Sequence, residues 1–263
     1  MSVLTHPRYR WLERGEGQAV VLLHGLMGQM LHWDDVLDEL AGTCRALAPA
    51  LPIFDPALAR PSIDALARWV VDFLDALEIP RAVIGGNSLG GHVALAVALA
   101  YPERVRGLIL TGSSGLFERG FTRGVPHRPT SDYVREKMEE VFFDRAHVTP
   151  EWVENVRRTV TDRASAVRVL GFARAAKRDN LGPRLGDVTA PTLLVWGAED
   201  RITPLDVAQR FQALIPRSRL VILPSCGHAP MLEHPQAFAG VLRHWLAVER
   251  LHAGAPARTG AAR

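Results

Sequence analysis

Short, almost wholly apolar runs alternate along this chain with longer segments in which apolar residues recur every three or four positions. The clearest runs are "AVVLLHG", "PTLLVWG" and "RLVILP". A strand with one wet face alternates apolar and polar residues, so unbroken runs mark strands covered on both faces, as in a parallel sheet layered with helices. The pattern predicts strands at residues 9–13, 19–23, 45–50, 82–85, 107–111, 192–196 and 219–223. Helical periodicity falls between them at 33–40, 63–77, 89–101, 206–214 and 236–249. Such alternation is the signature of an α/β fold with a mostly parallel sheet flanked by helices.

Between Gly115 and Asp187 the strand-like runs vanish and three amphipathic segments follow one another, at 131–143, 149–161 and 164–178. The second begins with Thr149 as N-cap, Pro150 at the first helical position and Glu151 in the first turn. The third runs into "NLGP", an effective stop. An all-helical insertion between two parallel strands lies at the carboxyl end of the sheet, where open α/β proteins bind ligands, so 115–187 is expected to be a lid. Residues 1–114 and 188–252 then form the two parts of the core. The last stretch, "AGAPARTGAAR" at 253–263, is small, basic and proline-containing, and is expected to be disordered.

The junction of strand and helix at 85–92 reads "GGNSLGGH". A phosphate-binding loop would need a lysine after its second glycine, and His92 stands there; a dinucleotide fingerprint would need glycine at Asn87 or Ser88. What the stretch satisfies is Gly-x-Ser-x-Gly, through Gly86, Ser88 and Gly90. A serine held on a sharp turn from strand to helix is strained, and residues two before and two after it must be small to avoid collision. The following helix adds partial positive charge where an oxyanion would form. Three further blocks accompany it. "LLHGLMG" ends one strand in a turn able to present the Leu26 N–H beside that of Leu89; "GAEDRITP" places Asp200 just past another; and "SCGHAPMLEHP" places His228 past the next.

Composition narrows the function classes. At 263 residues and 48% hydrophobic, the chain can bury a full core. The formal charge of +3 comes from arginines scattered among acids, with no basic run of the kind that binds nucleic acid or a membrane surface. The N-terminus has no signal-peptide pattern and no window approaches about eighteen apolar residues, so a soluble, cytoplasmic protein is expected. Cys44 and Cys226 cannot build a disulfide framework, which fits a reducing compartment. The histidines show no His-x-x-x-His and the cysteines no Cys-x-x-Cys, so neither metal nor cofactor is expected.

Together the "HGLMG", "GNSLGG", "GAEDRITP" and "CGHAPMLEHP" blocks resemble the α/β-hydrolase fold family over nearly the whole chain outside the insertion and tail. The resemblance implies an eight-stranded core and hydrolytic chemistry, with Ser88, Asp200 and His228 in the family's chain order of nucleophile, acid and histidine. In that reading His228 accepts the proton of Ser88 as it attacks a carbonyl, Asp200 orients the imidazole, and the N–H groups of Leu26 and Leu89 receive the oxyanion before water releases an acyl-enzyme. Glu199 is the rival acid and His92 the rival base, although His92 sits in the first turn of the elbow helix, where packing is the commoner role. His24 is expected to brace the oxyanion turn, and Cys226 to be a buried structural thiol.

The elbow serine separates the chain from the dehalogenase and epoxide-hydrolase branches, which carry aspartate there. Asn87 resembles the Gly-Asn-Ser elbow of carbon–carbon bond hydrolases, but those usually carry a Gly-Pro-Gly oxyanion loop and a tryptophan after the histidine, where this chain has "GLMG" and Ala229. The expectation is therefore a carboxylic-ester hydrolase for small, largely apolar esters, with carbon–carbon cleavage of a ketone as the alternative and a non-catalytic ligand-binding protein as the contrasting class. Asn87, Met27, Phe142 and Trp152 are expected at the substrate pocket, with Phe117, Phe121, Phe143 and Phe172 as further lid aromatics and Arg119, Arg123 and Arg174 as cations within reach of a substrate carboxylate.

Overall fold

The computed structural model describes residues 3–58, 60–116 and 129–251. Phe117, Arg119, Phe121, Arg123 and the tail at 253–263 lie outside the described residues. The eight strands are β1 (Leu4–His6), β2 (Tyr9–Arg14), β3 (Ala19–Leu23), β4 (Arg45–Pro49), β5 (Ala82–Asn87), β6 (Val105–Thr111), β7 (Thr192–Gly197) and β8 (Ser218–Leu223). They form one sheet in the order β1-β2-β4-β3-β5-β6-β7-β8, parallel from β4 to β8 and antiparallel at the β1 and β2 end. β3, β5 and β7 are buried along their whole length, which accounts for their unbroken apolar character. β1, three exposed residues, carries no such signal and escapes the hydrophobic pattern.

The order reverses between β3 and β5: β4 pairs on one side of β3, and the chain then returns to lay β5 on the other. A crevice opens at the carboxyl ends of the strands at such a switch point. The "HGLMG" turn leaves β3 and "GGNSLGG" ends β5, so the sheet brings these two blocks side by side there. The helices are α1 (Asp34–Leu40), α2 (Ile63–Ala76), α3 (Leu89–Ala100), α7 (Leu205–Leu214), α8 (Pro230–Glu233) and α9 (Pro235–Val248), with α4 (Ser131–Glu139), α5 (Pro150–Thr161) and α6 (Arg163–Arg178) in the insertion.

Side chains alternate across the sheet into two apolar layers. Val21, Leu23 and Ile84 face one, Val20, Leu22 and Val83 the other. The insertion reaches both. Val134, Met138, Phe142 and Val153 of its first half join the layer holding Trp33, Ala229 and Met231, while Phe172 and Ala176 of α6 join the layer holding Leu51, Ile53 and Leu89. It leaves the carboxyl end of β6 and packs on both layers. Thr149 caps α5 by accepting from the Trp152 N–H at 3.2 Å, as its position in the sequence suggests. α4 ends at Glu139, short of the expected 143, because the next segment pairs with the loop after β8: the His228 N–H donates to the Val141 carbonyl at 2.7 Å.

Candidate active site

Ser88 sits between the last residue of β5 and the first of α3, with φ +55° and ψ −118°. An L residue held in such a region costs on the order of 1–3 kcal/mol and persists only where its surroundings enforce it. The enforcement is visible. The Ser88 N–H donates to the Thr111 carbonyl at 3.1 Å, and the Ser88 carbonyl accepts from the N–H groups of His92 and Ser114 at 3.1 and 3.2 Å and from Ser114 Oγ at 3.3 Å. Gly86 and Gly90 make the turn sterically feasible, since a Cβ on Gly90 would stand 2.2 Å from the Leu23 carbonyl oxygen and one on Gly86 2.5 Å from the Gly90 backbone. β5 runs on to Asn87, so Gly85 does not end the strand; its missing Cβ leaves room for Ile109. Both contacts at the elbow are with backbone, so Gly90→Ala is expected to yield little folded protein, measured as soluble yield and melting temperature against Gly42→Ala, where a Cβ meets nothing within 4 Å.

Asp200 follows β7 and His228 follows β8, and the two meet with His228 Nδ1 2.9 Å from Asp200 Oδ2. The other oxygen, Oδ1, accepts from the N–H groups of Ile202 and Thr203 at 2.8 and 2.9 Å, while Thr203 Oγ1 donates to Oδ2 at 2.9 Å. Burial opposes the charge on Asp200, but the adjacent His228 and these donors hold its carboxyl below the ordinary aspartate value. A carboxylate so placed keeps the proton of a neutral imidazole on Nδ1 and leaves Nε2 able to accept. Thr203 belongs to this group although its role was not expected; the Asp-x-x-Thr spacing of "DRIT", which favours a side-chain turn, is the signal for it. Gly112, at φ +49°, backs the imidazole so closely that a Cβ there would lie 2.7 Å from Nδ1.

Asn87 joins these parts. Its Nδ2 donates to the carbonyls of His228 and Thr111 at 2.8 and 3.2 Å, and the residue is 5% exposed. Asn87, expected at the substrate pocket, thus uses its amide to tie the histidine loop to the turn that carries Ser88. Phe142 and Trp152, also expected at the pocket, pack on each other. Phe142 is 3% exposed, stacks on His147 and meets Trp152 edge-on, and Trp152 in turn packs on His32, so both serve the apolar contact between insertion and core. Met27 is half-buried in the turn that follows β3.

That turn is closed by the Gly28 N–H donating to the Gly25 carbonyl at 3.0 Å, with Leu26 second and Met27 third. The N–H of the second residue in such a turn is not used in closing it. The Leu89 N–H, first in α3, has no intrahelical acceptor and lies at the positive end of the helix dipole. A Cβ on Gly25 would lie 3.4 Å from that of Ser88, which puts the turn against the nucleophile candidate. His24 braces it from below: Nδ1 donates to the Gly25 carbonyl at 2.8 Å and Nε2 accepts from the Leu51 N–H at 3.0 Å.

Burial lowers the pKa of His24 to about 4, and that of nearby His32 to about 4 as well, from the usual 6.5. Between those values the unfolded chain takes up protons that the folded one refuses. The contribution of these two histidines is therefore expected to be level above pH 6.5 and stability to fall as pH drops from there toward 4, by about 1.4 kcal/mol per pH unit for each histidine. Melting temperatures recorded across pH 4 to 7.5 check the sign.

The rival residues are engaged elsewhere. His92 is fully buried, with Nε2 3.1 Å from Asp179 Oδ2 and Nδ1 3.4 Å from Ser114 Oγ, and this contact is the first cause holding the Asp179 carboxyl below its usual range. Glu199 Oε2 accepts the Cys226 N–H at 2.9 Å. Burial, reinforced by the Glu233, Asp200 and Glu199 carboxylates, raises the Cys226 thiol far above its usual value, so it holds no thiolate near neutrality. Among the described residues no helix is long and apolar enough to cross a membrane. A serine on a strained turn beside unused backbone N–H groups, with a carboxylate-paired imidazole whose loop is tied to that turn through Asn87, is an arrangement that suits attack by a serine hydroxyl on a carbonyl carbon.

A family model for the "Alpha/beta hydrolase family" matches residues 20–241. A 2-hydroxy-6-oxo-6-phenylhexa-2,4-dienoate hydrolase of Burkholderia cepacia is 30% identical, the alignment covering 93% of this chain and 93% of that protein. Among solved structures, an alpha/beta hydrolase enzyme from the metagenome of lagoon sediments at Mar Chica, Morocco, is 33% identical, with a TM-score of 0.79 over 95% of this chain and 100% of the other. A meta-cleavage product hydrolase from Pseudomonas fluorescens IP01 is 26% identical, with a TM-score of 0.80 over 91% and 94% of the two chains.

Proposed function

The chain belongs to the α/β-hydrolase family, and on that premise we propose that it cleaves a carbon–carbon bond beside the ketone of a conjugated 2-hydroxy-6-oxo-dienoate, the class named for its curated relatives. The observation that carries this reading is the likeness of nearly the whole chain to such a hydrolase, joined to a Gly86-Asn87-Ser88 elbow. It displaces the ester reading favoured by "GLMG" and Ala229 alone.

In the proposed cycle Ser88 adds to the ketone carbon as His228 takes its proton, and the oxyanion is received by the N–H groups of Leu26 and Leu89. Collapse of the tetrahedral adduct breaks the bond to the neighbouring carbon, which leaves with the electron pair. That departure is feasible from the 2-keto tautomer, reached by moving the 2-hydroxyl proton to the carbon beside the ketone: the departing carbon is then saturated and allylic, and its electron pair spreads through the remaining alkene onto the 2-keto oxygen as a dienolate. The proton on His228 goes to the departing fragment; water, deprotonated by His228, then adds to the acyl-serine and releases the carboxylic acid. Ketone and water become an acid and a dienol.

Ester hydrolysis is the second reading, because the same groups would expel an alkoxide and Ala229 stands where carbon–carbon hydrolases usually carry tryptophan. The deciding experiment follows loss of absorbance of 2-hydroxy-6-oxo-6-phenylhexa-2,4-dienoate alongside p-nitrophenyl esters of rising chain length. A dienoate kcat/KM above that of every ester supports carbon–carbon cleavage, and the reverse order assigns an esterase. Binding without turnover of either, seen as a ligand-dependent rise in melting temperature, would leave a receptor-like protein.

A further inference from the structure

We propose that Glu233 is a positioning residue for the reaction, its carboxylate clamping the loop that carries His228 to the insertion; the inference rests on Ser88, His228 and Asp200 being the catalytic set. Glu233 ends α8 and is half-buried. Its Oε1 accepts the Gly227 N–H at 2.8 Å and faces Cys226 Sγ at 3.9 Å. Its Oε2 accepts the Phe143 N–H at 2.7 Å and lies 3.4 Å from the Asp144 nitrogen. One carboxylate therefore bridges the residue before His228 and the segment that follows α4.

A second bond runs across the same seam, from the His228 N–H to the Val141 carbonyl at 2.7 Å. The strands of chain touch: a Cβ on Gly227 would stand 2.6 Å from the Val141 oxygen and 2.8 Å from the Phe143 nitrogen. On the opposite side Glu199, adjacent to Asp200, accepts the Cys226 N–H at 2.9 Å and donates its own N–H to the Cys226 carbonyl at 3.0 Å. The loop Cys226–Gly227–His228 is gripped between two carboxylates, one on the Asp200 side and one reaching the insertion. Bonds from N–H to an ionised carboxylate are roughly twice as strong as neutral ones, so the clamp is stiff. It fixes the backbone from which the imidazole projects, and a displacement of about 1 Å at a reacting group costs on the order of a hundredfold in rate.

The test measures kcat per active site, titrated with a fluorophosphonate that labels Ser88, for Glu233→Gln and Glu233→Ala on the better substrate of the panel above. Glu233→Ala loses both acceptors and should lower kcat per titrated site by about tenfold or more, while KM moves less than about threefold. Glu233→Gln retains one acceptor and turns its NH₂ toward the other donor, so its kcat should fall between the two, and it decides the matter alone if the alanine variant does not fold. Unchanged kcat per titrated site in the folded variants overturns the proposal, whatever happens to melting temperature, because a purely structural role lowers the number of working sites and not their rate. A wild-type protein that the fluorophosphonate does not label would instead defeat the serine reading itself and this inference with it.

Discussion

Replacing Ser88 by alanine is expected to abolish turnover of dienoate and ester alike, by on the order of a million-fold, while the protein folds normally. The large effect follows from losing the only group proposed to bond to the substrate carbon; what remains is the electrostatic assistance of the oxyanion donors. Folding is spared because Ser88 is held through its main chain, by the Thr111 carbonyl on one side and the N–H groups of His92 and Ser114 on the other, and alanine keeps all three bonds. The checks are kcat on both substrate classes, loss of fluorophosphonate labelling and an unchanged circular dichroism spectrum. Near-normal turnover would end the serine account.

Asp200→Asn should cost on the order of ten-thousand-fold in kcat with the fold retained. Both oxygens of Asp200 serve as acceptors: Oδ1 takes the N–H groups of Ile202 and Thr203, and Oδ2 takes His228 Nδ1 and the Thr203 hydroxyl. A carboxamide has one acceptor oxygen. If that oxygen keeps the two main-chain donors, the NH₂ faces His228 and drives the imidazole proton onto Nε2, the nitrogen meant to accept from Ser88. The loss should thus appear in kcat on every substrate and leave ground-state binding nearly intact, which steady-state kinetics with a competitive product inhibitor will show. A loss below about tenfold would transfer the acid's role to another residue.

The core was legible where burial on both faces leaves an unambiguous apolar run, as in β3 and β7, and the start of α5 was legible because Thr149 and Pro150 act within one turn. The end of α4 was not, because the groups that draw Val141 and Phe143 out of helical bonding are His228 and Glu233, far along the chain. A similar division runs through the site. Ser88, Asp200 and His228 each sit in a block with its own local chemistry, whereas Glu233 acquires Phe143 and Asp144 as partners only through tertiary contact. The partners of Asn87 were not legible for a different reason. The Asn87 amide finds its acceptors at the end of β6 and in the loop after β8, the Thr111 and His228 carbonyls, and neither is near it in sequence. For Phe142 and Trp152 the helical period marks an apolar face without saying whether protein or ligand covers it.

The seam between the insertion and the histidine loop bears on how such proteins can be recombined. A chimera that imports a foreign segment between β6 and β7 would replace the Val141 carbonyl and the Phe143 N–H together with the segment, and with them two of the bonds that locate His228. Residues 141–144 therefore belong with the host scaffold when segments are shuffled, and a viable graft boundary on this side falls between Asp144 and the start of α5.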